Sequence, residues 1–121
     1  MAIKYENEKQ FQNAIVMWFS HEYPELYGSL FEINNSVYSM KHAMSRRAIG
    51  MVAGVSDLIL IVNGSFAGIE LKHPKTKHSK SHINQQLGWG KHIESQGGYY
   101  IMSDSEEDVK EFIRKVVENI E

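Results

Sequence analysis

Three charged side chains, Asp57, Glu70 and Lys72, lie at the ends of a strongly apolar stretch, GVSDLILIVNGSFAGIELK at residues 54–72. Two converging carboxylates suit a hard divalent cation such as Mg²⁺, which takes one or two carboxylates and fills its other positions with water and substrate phosphate. A lysine beside such a site can orient or deprotonate a water and stabilise negative charge that develops on a phosphate. These residue types therefore indicate metal-dependent phosphate chemistry, provided that the fold brings them together.

The pair Asn63-Gly64 lies between two apolar runs and predicts a two-residue hairpin of type I′, because both central residues must take positive φ. In that register Asp57 lies directly opposite Glu70, where like charges repel unless something neutralises them. A turn shifted by one residue would instead place Asp57 opposite Lys72. Side chains alternate along a strand, so the three charges share one face in either register. The alternative reading is a surface trio of ion pairs at the rim of a sheet, which contributes little stability.

Hydrophobic periodicity predicts the elements that must position this hairpin. Helices are predicted at residues 6–20, 81–96 and 105–120 and strands at residues 30–34 and 99–102, while residues 39–53 fit a helical turn or an ordered loop. Ser105 and Asp108 predict a capping box before the last helix, whose apolar stripe indicates a structural role. The order helix, strand, two-stranded hairpin, helix, strand, helix predicts a mixed α/β sandwich, in which a central sheet is flanked by the first helix and the helix at residues 81–96.

Three polar residues project onto helix faces that must meet the core. Glu8 and Gln12 fall on the apolar side of the first helix, and Gln86 falls on the apolar side of the second, whereas Gln85 points away. A carboxylate buried in such a position costs too much unless it is paired, hydrogen-bonded or bound to a cation. Each residue alone fits a satisfied core polar group as well as a site residue. Together with the hairpin they form a candidate constellation.

Composition bounds the classes of protein to which the chain can belong. With 121 residues, 42% of them hydrophobic, the chain predicts a single globular domain at residues 1–121. There is no cysteine, which excludes disulfides, thiolate zinc sites and cysteine catalysis. No stretch has the length of a membrane span, and the amino terminus lacks a signal-peptide pattern, so we expect a cytoplasmic protein with no membrane partner.

The formal net charge is −2, but basic residues concentrate on both sides of the carboxylate pair. Local basic patches beside a binding surface are what contact with nucleic-acid phosphates requires. The alternative is a set of ordinary solvated loop charges. We predict that five of these residues contact DNA: Arg46, Arg47, Lys75, Lys77 and Lys80.

The ordered motifs resemble the VRR-Nuc family of the PD-(D/E)XK nuclease superfamily. They are Glu8-x-x-x-Gln12 on an opening helix, Gly54-Val55-Ser56-Asp57, Ile69-Glu70-Leu71-Lys72, and Gln86 followed by Trp89. The similarity runs from about residue 8 through residue 99 and extends to the last helix, so it covers nearly the whole chain. One departure is Ser56, where the family usually has a proline that would stiffen the approach to the strand.

The resemblance implies a restriction-endonuclease-like core and phosphodiester hydrolysis that depends on Mg²⁺ or Mn²⁺. It implies that Asp57, Glu70 and the Leu71 carbonyl are metal ligands and that Lys72 lies next to the attacking water. It further implies that Glu8 assists metal or water binding, that Gln86 positions the lysine or the phosphate, and that Gln12 has a supporting role. Small free-standing members of the family, often encoded by phages, are associated with dimeric cutting of branched DNA such as four-way junctions. The implied partners are therefore branched DNA and a second copy of the chain, and a dimer also has a physical rationale, since two sites at a fixed separation address two strands symmetrically.

Two other interpretations remain open from the sequence. The first is a non-catalytic nucleic-acid-binding module on the same fold, against which the complete set of Asp57, Glu70 and Lys72 argues. The second is a histidine metal site, for which His78 and His82 have a helix-compatible spacing. In that reading His73 is the third residue, although no third ligand is fixed by the sequence.

Overall fold

The computed structural model describes residues 5–33, 52 and 54–118. In chain order they form α1 (Glu8–Glu22), a short 3-10 helix (Pro24–Leu26), β1 (Leu30–Glu32), β2 (Leu58–Val62), β3 (Ser65–Leu71), α2 (Lys80–Ser95), β4 (Tyr99–Ser103) and α3 (Glu106–Glu118). The predicted order of elements is confirmed. Most of the segment at residues 39–53, which the sequence left open, lies outside the described residues. No helix in the described ranges has the length and apolar character needed to cross a bilayer.

The four strands form one mixed sheet in the order β1, β2, β3, β4. The pairs β1/β2 and β2/β3 are antiparallel, whereas β3 and β4 are parallel and are joined through α2. A parallel pair requires a crossover connection, and an amphipathic helix is its usual form. The predicted central mixed sheet is therefore confirmed.

The hairpin between β2 and β3 has the predicted turn. Asn63 has φ of 51° and Gly64 has φ of 77°, as a type I′ turn requires. Val62 pairs with Ser65, and the ladder continues from there to the start of β2. This register excludes the shifted turn, and the next opposed position beyond the ladder is the one occupied by Asp57 and Glu70.

The main hydrophobic core lies between one face of the sheet and the helices α1 and α3. The alternating side chains of β2 and β3 on this face are fully buried, as the period of a strand predicts. Both helices present apolar stripes to them. The helical core residues are Phe11, Ile15 and Phe19 from α1 and Val109, Ile113 and Val116 from α3.

Helix α2 covers the opposite face and lies very close to the strands. A Cβ atom at Gly68 on β3 would be only 2.6 Å from the Trp89 ring of α2. A Cβ atom at Gly90 on α2 would be 2.4 Å from the Tyr100 ring of β4. These two glycines therefore set the distance between α2 and the sheet.

The start of α3 shows half of the predicted capping box. The Asp108 N–H donates to Ser105 Oγ at 3.2 Å, which is the expected cap. The reciprocal contact is replaced, because the Ser105 N–H donates to Ser103 Oγ at 2.9 Å. The last residue of β4 thus satisfies the donor that the box would have used.

Candidate active site

The carboxylates of Asp57 and Glu70 lie at the end of the hairpin opposite its turn. Asp57 directly precedes β2, and its Oδ2 accepts the Leu71 N–H at 3.0 Å, which holds this carboxylate against β3. Glu70 is only 2% exposed, and its Oε1 has no hydrogen-bond partner among the described residues. A buried carboxylate oxygen without a partner is costly unless a proton or a cation neutralises the group.

The pKa of Glu70 is raised to about 9, and burial is the largest cause. A hydrogen bond to Asp57, which forms while the pair holds a proton, raises this pKa, and the negative charges of Asp57 and Glu8 do so too. The Lys72 ammonium acts in the opposite direction. The metal-free pair therefore keeps a proton at neutral pH, and a bound cation could neutralise the pair in its place.

The carboxylate ligands suit a hard divalent cation, although the described residues do not supply a complete set of ligands by themselves. Within the described residues, no three histidine, aspartate or glutamate side chains come together in a way that could hold a metal ion. Mg²⁺ does not need such a cage, because one or two carboxylates with carbonyl oxygen, water and phosphate complete its shell. The opposed pair, with the partnerless Glu70 Oε1, meets that requirement.

The side chain of Lys72 lies beside the pair and is held by the second helix. Its Nζ donates to Gln86 Oε1 at 2.6 Å and lies 3.9 Å from Glu70 Oε2. Gln86 is buried and Gln85 is exposed, as the helical projection predicts. The structure therefore brings Gln86, Lys72 and the carboxylate pair together.

Gly54 brings the loop before Asp57 against α2 at the level of Gln86. It has φ of 84°, and a Cβ there would be 2.5 Å from the Gln85 carbonyl oxygen. An L side chain at this position would meet both backbone strain and helix backbone. The close approach fixes the loop that carries Asp57 relative to the helix that carries Gln86.

A row of side chains continues from Gln86 to the start of α1. The Gln86 Nε2–H donates to His82 Nε2 at 3.2 Å. The His82 ring stacks on the His78 ring with centroids 5.4 Å apart and planes at 15°. The His78 Nε2–H donates to Glu8 Oε2 at 2.9 Å, so Glu8 lies at the rim of the site with a histidine as its partner.

Glu8 and Gln12 do not face the core, which corrects the helical projection. Both are half-buried, because the buried stripe of α1 passes beside them and leaves their polar ends at the rim of the helix. The Gln12 Nε2–H donates to Glu32 Oε1 at 3.3 Å. Gln12 therefore pairs with β1 and takes no part in the row from Glu8 to Lys72.

The histidine metal site is not assembled. His73 is buried, its Nδ1 accepts the Lys75 N–H at 3.1 Å, and its Nε2–H donates to the Tyr5 carbonyl oxygen. Backbone groups thus occupy both ring nitrogens of His73. It cannot join His78 and His82 as a third ligand while these contacts last.

The basic residues divide between described and undescribed parts of the chain. Lys75, Lys77 and Lys80 are exposed on and after the segment that leads from Lys72 into α2. Arg46 and Arg47 lie outside the described residues. A cationic segment therefore begins directly after the lysine of the candidate site.

Two buried hydroxyls on the α2 side of the sheet were not predicted as part of the site. Ser56 Oγ and Tyr100 Oη have no hydrogen-bond partner among the described residues. Burial raises the pKa of Tyr100, and the charges of Glu70 and Asp57 raise it further. A serine or a tyrosine in a sequence does not by itself indicate a buried hydroxyl beside the site. The burial of these two hydroxyls follows from the close approach of α2 to the sheet.

An apolar groove of about 390 Å³ lies elsewhere, between the end of α1 and β1. Among the described residues that line it there is no carboxylate, lysine or histidine, so they offer none of the groups that the chemistry requires. The groove is lined by Val16, Phe19, Ser20, Tyr23, Pro24, Tyr27, Gly28, Leu30 and Phe31.

Comparison with known proteins identifies the fold. No protein-family model matches the sequence, and no curated protein matches it. Among solved structures, the chain is similar to a VRR_NUC domain protein with a TM-score of 0.73, covering 96% of this chain and 92% of that chain. The two sequences are 16% identical, so the likeness is one of fold. The chain has a VRR-Nuc fold, which is the restriction-endonuclease-like α/β fold that the motifs imply.

Proposed function

We propose that this chain is a Mg²⁺- or Mn²⁺-dependent endonuclease that hydrolyses phosphodiester bonds in branched DNA such as four-way junctions, acting as a homodimer. The observation that carries the proposal is the opposed pair Asp57 and Glu70 with the Lys72 Nζ held 3.9 Å from Glu70 Oε2. The VRR-Nuc fold supports a nuclease. Branched DNA and the dimer rest on the resemblance of the motifs to small free-standing members of that family.

In this proposal Asp57, Glu70 and the Leu71 carbonyl would hold the divalent ion, and Glu8 would assist from the rim of the site. When bound, the ion supplies a Lewis acid that polarises a phosphoryl oxygen and lowers the pKa of a bound water. Asp57 is already held in place by the Leu71 N–H. Little rearrangement of the Asp57 carboxylate is therefore required when the divalent ion binds.

The Lys72 ammonium would act on the scissile phosphate and the attacking water. It would donate to a phosphoryl oxygen and stabilise the negative charge that develops there, beside the buried side chains of Glu70 and Gln86. Gln86 orients this ammonium without neutralising it, because an amide oxygen accepts a hydrogen bond but carries no net charge.

DNA would follow the exposed cationic segment that contains Lys75, Lys77 and Lys80. Lysines of this kind neutralise backbone phosphates and fix the register of the duplex without reading its sequence. In this proposal residues 1–121 form a single nuclease domain with one pair of carboxylates, which acts on one DNA strand.

The test is cleavage of a labelled panel of linear duplex, flap, splayed-arm and four-way-junction DNA with Mg²⁺, Mn²⁺ or EDTA. We expect cutting of the junction with either metal, none with EDTA, and none by the Glu70→Gln variant. Products mapped to the nucleotide define the cut position. Tight DNA binding without cleavage under all metal conditions would instead support the non-catalytic binding module.

A further inference from the structure

The side-chain amide of Gln86 is buried, and both of its ends have partners. One end lies 2.6 Å from Lys72 Nζ and the other lies 3.2 Å from His82 Nε2. An ammonium has donors and no acceptor, so the amide oxygen must face Lys72. The amide NH₂ group therefore faces His82.

This orientation determines the state of the His82 imidazole. The Gln86 NH₂ group can only donate, so His82 Nε2 must accept, which requires a neutral ring with its proton on Nδ1. An Nε2–H tautomer or an imidazolium would place two donors against each other. A rotation of the amide would relieve that clash only by turning its NH₂ group towards the Lys72 ammonium.

The surrounding structure holds His82 in the required position. His82 and Gln86 are four residues apart on α2 and thus share a helix face. The His82 ring, although its residue is exposed, stacks on the His78 ring, which Glu8 anchors through a hydrogen bond of 2.9 Å. The stacking contact therefore restrains the plane of the His82 ring.

We propose that His82 is a positioning residue whose unprotonated Nε2 fixes the Gln86 amide in the orientation that presents its oxygen to Lys72. The catalytic consequence rests on the proposed nuclease function, whereas the hydrogen-bond arrangement does not. The proposal also assigns a use to the two histidines that their spacing marked as possible metal ligands.

The first experiment reads the tautomer directly and does not depend on cleavage. In ¹⁵N-labelled protein at mildly alkaline pH, we expect His82 to show a protonated Nδ1 and an unprotonated Nε2. The Gln86→Leu variant, which lacks the donor, should release His82 to the averaged tautomers of an unconstrained imidazole. A predominant Nε2–H tautomer of His82 in the wild-type protein would overturn the proposal.

The second experiment separates the acceptor from the shape of the side chain. His82→Gln places an amide oxygen where Nε2 lies, whereas His82→Leu removes the acceptor. We expect His82→Leu to lower the single-turnover cleavage rate by roughly 10- to 100-fold with unchanged KM, and His82→Gln to retain most of the rate. The matched control is His92→Leu, the same change at an exposed histidine in the last turn of α2, which should cleave as the wild type does.

Two results of the cleavage measurements would contradict the proposal, and both are distinct from failure of the proposed nuclease. Equal rates for His82→Leu and His82→Gln would overturn the role of the acceptor, as would an undiminished effect of His82→Leu in a protein that already carries Gln86→Leu. A wild-type protein that cuts no DNA would refute the proposed function, and the tautomer of His82 would then decide the proposal alone. Thermal unfolding of each variant identifies any loss that is due to folding.

Discussion

Glu70 carries the carboxylate whose charge is the most costly in the site. It is 2% exposed and has another carboxylate opposite it, so its charge is opposed by both desolvation and repulsion. The ammonium of Lys72, at 3.9 Å, compensates only in part. A proton or a divalent cation must complete the compensation, and the two therefore compete for the same pair of carboxylates.

The pKa of Glu70 predicts how the stability of the metal-free protein depends on pH. This pKa is about 9 in the folded state against an ordinary value of 4.5, so between these pH values the folded protein keeps a proton that the unfolded chain has released. Folded stability is then present in full below the lower value and falls as pH rises towards the upper one, by at most about 1.4 kcal/mol per pH unit. Glu70→Gln cannot ionise, so it should flatten this fall and raise the Tm at mildly alkaline pH while abolishing cleavage.

Thermal unfolding in EDTA at a series of pH values between about 5 and about 8 measures the effect. The matched control is Glu111→Gln, at an exposed glutamate of α3, which should follow the pH profile of the wild type. Identical profiles for wild type and Glu70→Gln would mean that Glu70 is not held in a desolvated state. Undiminished cleavage by Glu70→Gln at saturating Mg²⁺ would remove Glu70 from the proposed site.

Substitutions of Lys72 can distinguish the effect of its positive charge from a role in proton transfer. Lys72→Ala should keep divalent-metal binding, because Asp57 and Glu70 remain, and should lose cleavage by about 10²- to 10³-fold, the usual effect of removing one transition-state donor. Lys72→Arg preserves the charge, but its planar guanidinium cannot be deprotonated and reaches differently. Metal titration and single-turnover cleavage of both variants provide the measurement. Near-normal cleavage by Lys72→Arg would reduce the lysine to electrostatic support, whereas failure of both variants supports activation of water.

At the scale of elements, the distance between α2 and the sheet sets the geometry of Gln86. Gly90→Ala would place a Cβ 2.4 Å from the Tyr100 ring, and we expect it to destabilise the fold by about 1–3 kcal/mol and to reduce cleavage. Gly88→Ala is a closely matched control on the same helix, because a Cβ there has no atom within 4 Å. That control should stabilise the protein by up to about 1 kcal/mol through helix propensity alone. Urea unfolding compares the two, and equal stabilities would show that α2 does not depend on a close contact at Gly90.

The elements that the sequence predicted well are those specified by local rules. The register of the β2/β3 hairpin follows from an Asn-Gly turn and a period of two, and therefore so does the opposition of Asp57 and Glu70. Gln86 was predicted as the inward residue because a single helix has a regular period. In these cases no knowledge of tertiary packing is needed.

The features of the structure that the sequence did not predict depend on how helices and strands pack against one another. A glycine in a sequence does not reveal which neighbour approaches it, so the contact of Gly68 with Trp89 could not be predicted. Gln12 was expected to face the core, but its amide reaches Glu32 on a strand whose position the helical projection does not contain. The acceptor role of His82 likewise depends on two hydrogen bonds to one amide, only one of which lies within its own helix.

At the scale of the whole molecule, charge of the two signs is unevenly placed. The exposed lysines between β3 and α2 lie on the segment that leaves the site, whereas the first turn of α3 is acidic. The cationic segment beside the site would attract DNA phosphates locally despite a net charge of −2. Contact with phosphates should therefore be concentrated on one side of the protein.

Replacement of Lys75, Lys77 and Lys80 by glutamine should weaken DNA binding and reduce its dependence on salt. Each phosphate contact that is lost removes close to 0.9 from the slope of log affinity against log salt concentration. Fluorescence anisotropy of labelled DNA over a salt series measures this slope, with exposed Lys115→Gln on α3 as the control that should leave it unchanged. The same test applies to Arg46 and Arg47, and an unchanged slope in both sets would place DNA on another surface.

The proposed dimer predicts how mixtures of active and inactive chains cut DNA. A single site cleaves one strand, so paired cuts across a junction require two sites at a fixed separation, which a twofold dimer provides. When wild-type chains are mixed and refolded with an excess of Glu70→Gln chains, most wild-type chains should then be in heterodimers with one active site. On a cruciform in a supercoiled plasmid, we expect the linear product to fall with the square of the wild-type fraction, while the nicked product persists. Gel analysis of the early products gives both quantities, and light scattering gives the mass of the assembly. A linear product that falls only in proportion to the wild-type fraction would mean that a single active chain makes both cuts, and that the chain works as a monomer.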